Sequence, residues 1–203
     1  MGSEIHPPGQ RSFIEAARRA QIIASAIEVI AAGGFAKASL AAIAKHAGIS
    51  KGVISYHFAG KDELMEEVVN QIYEGIAEQV LGSLEGRETA TELLRTQVLS
   101  VAGHMRGHRT QLQALGEIFH NLRDAEGKPR YGVQSSEDLY TALERIYELG
   151  QRTGEFRSFD IRVMSVTHSA AIDAMFAYWV VHPEHDLDAH AIELADLLER
   201  AVK

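Results

Sequence analysis

The sequence contains no cysteine, which excludes disulfides and thiol-based sensing and fits a reducing, cytoplasmic setting. No apolar run is long enough to cross a bilayer, since the longest, from Val163 to Val181, is broken by His168 and Asp173. The first residues lack the pattern of a signal peptide, and His6 stands where a myristoylation signal has Ser or Thr. There is no nucleophile elbow, no phosphate-binding glycine loop and no His-Glu-xx-His, so neither catalysis nor a cofactor is expected. No alternating strand pattern competes with helical periodicity, which leaves an all-α chain.

Of the 203 residues, 46% are hydrophobic and 24% charged, enough apolar material for a sizeable core. The net charge of −8 argues against a polyanionic partner only if it is spread evenly. Residues 1–60 carry six Lys/Arg against three acids, a net of +3, and the remainder carries −11. A basic end on an acidic body orients a molecule on nucleic acid and keeps the body away from it.

The basic end is organised around Ser39 to Lys61. Ser39 is an N-cap for a short helix with Leu40, Ile43, Ala44 and Ala47 at helical spacing. Gly48 supplies the left-handed conformation of a tight turn, Ile49 plugs beneath it, and Ser50 caps a second helix. In that helix Ile54 and Phe58 share the inward face. The outer face holds Lys51, Gly52, Val53, Ser55, Tyr56 and His57 and no carboxylate, as a helix approaching phosphates requires. Lys51, Tyr56, His57 and Lys61 are expected on phosphate oxygens. Val53 suits a thymine methyl, and Ser55 suits a base edge.

The order Arg18/Arg19, Ile22, Ile23, Ala26, Gly34-Phe35, Ser39, Ile43-Ala44, Ala47-Gly48-Ile49-Ser50, Gly52, Tyr56-His57-Phe58 and Lys61-Asp62-Glu63-Leu64 resembles the DNA-binding domain of the tetracycline-repressor (TetR) family. One departure is Ser55, where relatives often carry a second aromatic. The resemblance implies an N-terminal three-helix DNA-binding domain with a helix-turn-helix. A C-terminal helical regulatory and dimerisation domain follows, with about nine helices in all. It also implies a homodimeric repressor that occludes a palindromic operator in double-stranded DNA and is released by a small-molecule effector. An activator of the same fold, or a regulator answering a protein partner, is the alternative, and an enzyme or a non-DNA interaction module is a more distant one.

Along the chain, residues 1–11 are expected as a flexible arm, 12–60 as the DNA-binding domain and 61–203 as the effector-binding and dimerisation domain. Ser12 to Glu15 reads as a capping box opening the first helix, and Phe35 as a core anchor. Arg18 and Arg19 suit either phosphate contact or a solvated face. A fourth helix is expected to about Leu81, and Thr89 to Glu92 is a second capping box. Further helices are expected over 110–122, from Ser135 or Ser136 to about Arg152, over 161–181 and over 188–202.

The last two helices are apolar around much of their circumference. Val166, Ala170, Ala174, Ala177, Ile192, Ala195, Leu198 and Val202 are therefore expected at a dimer interface in a four-helix bundle. Met105, Phe119, His120, Tyr140, Tyr147, His168, Phe176 and Trp179 are expected around the effector, while the same residues also suit plain core. Asp173 interrupts an apolar helix and needs a partner or solvent. His104 and His108 are i,i+4, and His182, His185 and His190 lie close in sequence. With no cysteine and with helix ends nearby, solvated side chains are expected there rather than metal ligands.

Overall fold

The computed structural model describes residues 8–203, and the described residues form nine α-helices and no strand. Of the expected arm, residues 1–7 lie outside the described residues. Helix α1 spans Pro8–Gly33, so it begins before the expected start at Ser12, whose side chain lies outside the described residues. Proline is tolerated in a first turn because its missing N–H has no intrahelical partner there.

A 3-10 turn at Phe35–Lys37 leads into α2 (Leu40–His46), α3 (Lys51–His57) and α4 (Lys61–Leu84). Then come α5 (Ala90–Arg106), α6 (Arg109–Asn121), a 3-10 turn at Val133–Ser135, α7 (Glu137–Thr153), α8 (Ile161–Val181) and α9 (Leu187–Val202). The Thr89 capping box opens α5 with both reciprocal bonds. Asp160 and Asp186 cap α8 and α9, accepting from Val163 N and Ala189 N at 3.0 Å each. Ser136 occupies the N-cap of α7 but makes no cap bond with its side chain.

Two compact units emerge. One comprises the described residues up to Gln71 together with Gln113–Leu122, and the other comprises Ile72–Leu112 and Arg123–Lys203. The first unit is filled by Ile22, Ile30, Ile43, Ile54, Phe58, Leu64 and Met65, all at most 2% exposed. In the second, α5 lies along α9 and α7 along α8 around one apolar core that includes Leu94, Met105, Tyr147, Met175, Ala195 and Val202. The chain folds back sharply after α7. Phe156 covers Gly150 so closely that a Cβ there would stand 2.0 Å from its ring, and Phe156 N donates to Gly150 O at 3.0 Å.

Candidate nucleic-acid interface and regulatory core

The turn between α2 and α3 is built by short-range chemistry. Ser39 Oγ accepts from Ala42 N at 3.2 Å and Ser50 Oγ from Val53 N at 3.3 Å, so each helix start is satisfied by its own cap. Gly48 sits at φ +67°, which an L side chain rarely adopts, and Ile49 N returns to Ala44 O at 3.0 Å. With Ile54 and Phe58 buried, α3 exposes Lys51, Gly52, Ser55 and Tyr56 and half-exposes Val53 and His57. Tyr56 is 77% exposed, a large ring standing off the surface with no core to fill.

Two basic residues serve the fold of the first unit. Arg19 donates to His57 O at 2.5 Å and to Glu67 at 3.0 Å, and its guanidinium lies 4.4 Å from the Phe58 ring centroid. It fastens the end of α3 to α1 and α4. Lys61, expected on a phosphate, instead donates to Phe35 O at 2.6 Å and stands 3.8 Å from the centroid of the Phe35 ring. Burial lowers its pKa. Phe35 is half-buried beneath it, less enclosed than a core anchor. On the other side of this turn, Glu117 of α6 accepts from Phe35 N at 2.9 Å. No role for Glu117 is legible in the sequence, because a pairing across 82 residues leaves no local pattern.

The second unit gathers Met105, Tyr147, Phe176 and Trp179 in one core, with Tyr140 buried on α7. His168 is wholly buried, its Nδ1 2.9 Å from Tyr147 Oη. Burial pushes the imidazole pKa down to about 4 and raises that of the phenol. Phe119 and His120 belong instead to the first unit, where His120 is exposed and its Nδ1 donates to Gly116 O at 2.7 Å. Asp173 is exposed by surface area, although the atoms packed near its carboxyl raise its pKa. The His104 and His108 rings stack 4.4 Å apart, and His185 Nε2 lies 2.9 Å from His190 Nδ1. Among the described residues no three potential ligands converge as a metal site requires.

Ala170, Ala174, Ala177 and Ile192 are exposed and Val166 is half-buried. Ala195, Leu198 and Val202, expected at the interface, are instead 0%, 5% and 0% exposed and pack in the chain's own core. The rotation of α9 presents Ile192, Leu197 and Ala201 instead. An open groove of about 420 Å³ there is lined by Phe159, Val163, Met164, Leu194, Leu197 and Leu198 among others.

Residues 22–68, which hold the whole helix-turn-helix, match the family described as bacterial regulatory proteins, tetR family. The matched stretch lies within the first unit. The chain is 40% identical over 79 residues to the HTH-type transcriptional regulator BetI 1 of Chromohalobacter salexigens, covering 38% of the chain and 39% of that protein. It is 26% identical over 186 residues to the fatty acid metabolism regulator protein of Bacillus subtilis, covering 88% and 92%. Its fold is similar to that of the transcriptional regulator FadR from Bacillus subtilis, solved in complex with stearoyl-CoA. The TM-score is 0.80 at 23% identity, covering 91% of this chain and 99% of that one. With BetI 1 the shared stretch spans about two fifths of each protein.

Proposed function

We propose that the chain is a sequence-specific DNA-binding transcriptional repressor that acts as a homodimer and is released from a palindromic operator by an apolar small molecule. The observation that carries this reading is the exposed, carboxylate-free face of α3. On it Lys51 and Tyr56 contact phosphates and hold the register, while Val53 and Ser55 reach base edges. Ser39, Ser50 and Gly52 set the helix starts and let backbone amides come close to the sugar-phosphate chain. His57 belongs to the same face. Lys61 and Arg19 act behind it, holding the turn and the helix that carry the contacts.

The exposed apolar stripe of α8 and α9 supports pairing with a second copy, which places two reading heads on one side of a palindrome. A regulator of similar fold is solved with stearoyl-CoA, in keeping with an apolar effector for the second unit. Release follows if the effector favours a conformation in which Glu117 no longer holds Phe35. The required coupling is about 1–3 kcal/mol.

Ser55→Glu tests the reading by adding a carboxylate to the α3 face. Its affinity for a mixed-sequence duplex at low salt should fall about tenfold or more, with helical content and oligomeric state unchanged. Undiminished binding would contradict the assignment of this face.

A further inference from the structure

Among the described residues five buried side-chain polar atoms have no hydrogen-bond partner, and four belong to the second unit: Gln97 Oε1, Arg109 Nε, Ser165 Oγ and His168 Nε2. Arg109 is otherwise engaged, with Nη2 donating to Val180 O. Ser165 and His168 are different. Both are 0% exposed, and they stand three residues apart on α8, which brings their side chains to one face of the helix. Buried polar groups are nearly always paired, so two orphans on one face of α8 ask for a partner.

The chemistry of the missing partner follows from counting hydrogens. The bond between Tyr147 Oη and His168 Nδ1 has two possible directions. If the phenol donates, its hydrogen and the Nδ1 lone pair are both used, and the ring proton sits on Nε2. If Nδ1 donates, the phenol hydrogen and the Nε2 lone pair are both stranded. The first arrangement leaves one group unpaired and the second leaves two, so His168 presents an Nε2–H donor. The Ser165 hydroxyl is a second donor on the same face. Burial keeps the imidazole neutral, and among the described residues no Asp, Glu, Lys or Arg is buried to balance a charge brought inside. The partner is therefore an acceptor without charge.

We infer that the second unit takes an apolar small molecule carrying one uncharged carbonyl, as in a ketone, ester or thioester, whose oxygen accepts from His168 Nε2 and Ser165 Oγ. The inference rests on the reading of this chain as a ligand-released regulator and specifies the class of ligand. Both donors are enclosed, so the ligand is admitted by a conformation in which the helices around them have parted. Binding biases the chain toward that conformation, which gives the ligand the differential affinity a switch needs.

The test uses the full chain and three matched probes: 2-undecanone, decanoate and 1-undecene. Calorimetric titration should show 2-undecanone binding about tenfold tighter than the anion or the alkene, as one charge-free hydrogen-bonded oxygen warrants. His168→Phe and Ser165→Ala should erase the preference. His168→Gln, whose amide N–H replaces the Nε2 donor, should keep it. Should His168→Phe fail to fold, nuclear magnetic resonance of isotope-labelled histidine in the unaltered chain decides. An Nε2–H tautomer whose proton resonance moves on adding 2-undecanone is expected. An Nδ1–H tautomer, equal binding of the three probes, undiminished preference in His168→Phe, or a long-lived water on Nε2 that the ketone leaves in place would each overturn the inference. Operator release is measured separately. Preferred ketone binding that leaves operator DNA bound would overturn the release reading and leave the ligand class standing. Release by a compound whose affinity ignores His168 would do the reverse.

Discussion

At the scale of single residues, the same charge or ring serves different ends according to what lies within a few ångströms. Tyr56 is exposed and Val53 half-exposed on α3, and their substitutions should separate positioning from reading. Tyr56→Phe should weaken binding to specific and random duplexes alike. Val53→Ala should relax preference at one base pair per half-site, by about 1–3 kcal/mol of discrimination, measured against single-base operator variants. Lys61→Ala belongs to a different class, because it removes the ammonium from Phe35 O and from the Phe35 ring. It should destabilise the first unit by about 1 kcal/mol, seen as a melting temperature lower by a few degrees. That role was not legible in the sequence, where Lys61 reads only as a cation near a basic helix. Its acceptor is a backbone carbonyl 26 residues away. His168 carries a pH signature with a definite sign. Its folded pKa of about 4 lies below the ordinary 6.5, so the folded state resists protonation. Stability from this group is full above pH 6.5 and is lost as pH falls toward 4, by up to about 3 kcal/mol. His168→Gln should flatten that part of the pH–stability curve in denaturant titrations.

At the scale of elements, what the sequence encodes locally it encodes legibly. Ser39, Ser50 and Thr89 cap the helices they were expected to cap, because an N-cap needs only a side-chain oxygen and an amide two or three residues on. The start of α1 was less legible, since a proline suits both a first helical turn and an irregular arm. Facing on α9 was legible only in part. Ile192, Ala195, Leu198 and Val202 are all apolar, and which of them turn inward depends on packing against α5, which periodicity alone does not choose. The close approach of Phe156 to Gly150 also has no local signal. Gly150→Ala should force ring or backbone to move, at a cost of about 1–3 kcal/mol, detected as a fall in the denaturant midpoint with an unchanged slope.

At the scale of the whole molecule, the two-copy reading makes opposite predictions for neighbouring positions of α9. Leu197 is 59% exposed beside the apolar groove, whereas Leu198 is 5% exposed in the core. Leu197→Glu should shift sedimenting dimer toward monomer and lower operator affinity without loss of helix. Leu198→Ala should leave the dimer but destabilise the fold by about 2–5 kcal/mol. The charge asymmetry was legible from composition alone, a basic first sixty residues on an acidic remainder. The inclusion of Gln113–Leu122 with the first unit was not, because the α6 sequence carries no sign that Glu117 meets Phe35. The central claim is that α3 reads DNA from a dimer, and the most direct measurement is selection from a pool of random duplexes by the purified chain, with a salt titration on the winner. A palindrome with half-sites about one helical turn apart is expected, with affinity falling steeply as salt rises. Selection of a non-palindromic sequence, or no enrichment by protein stripped of ligand through refolding, would contradict it.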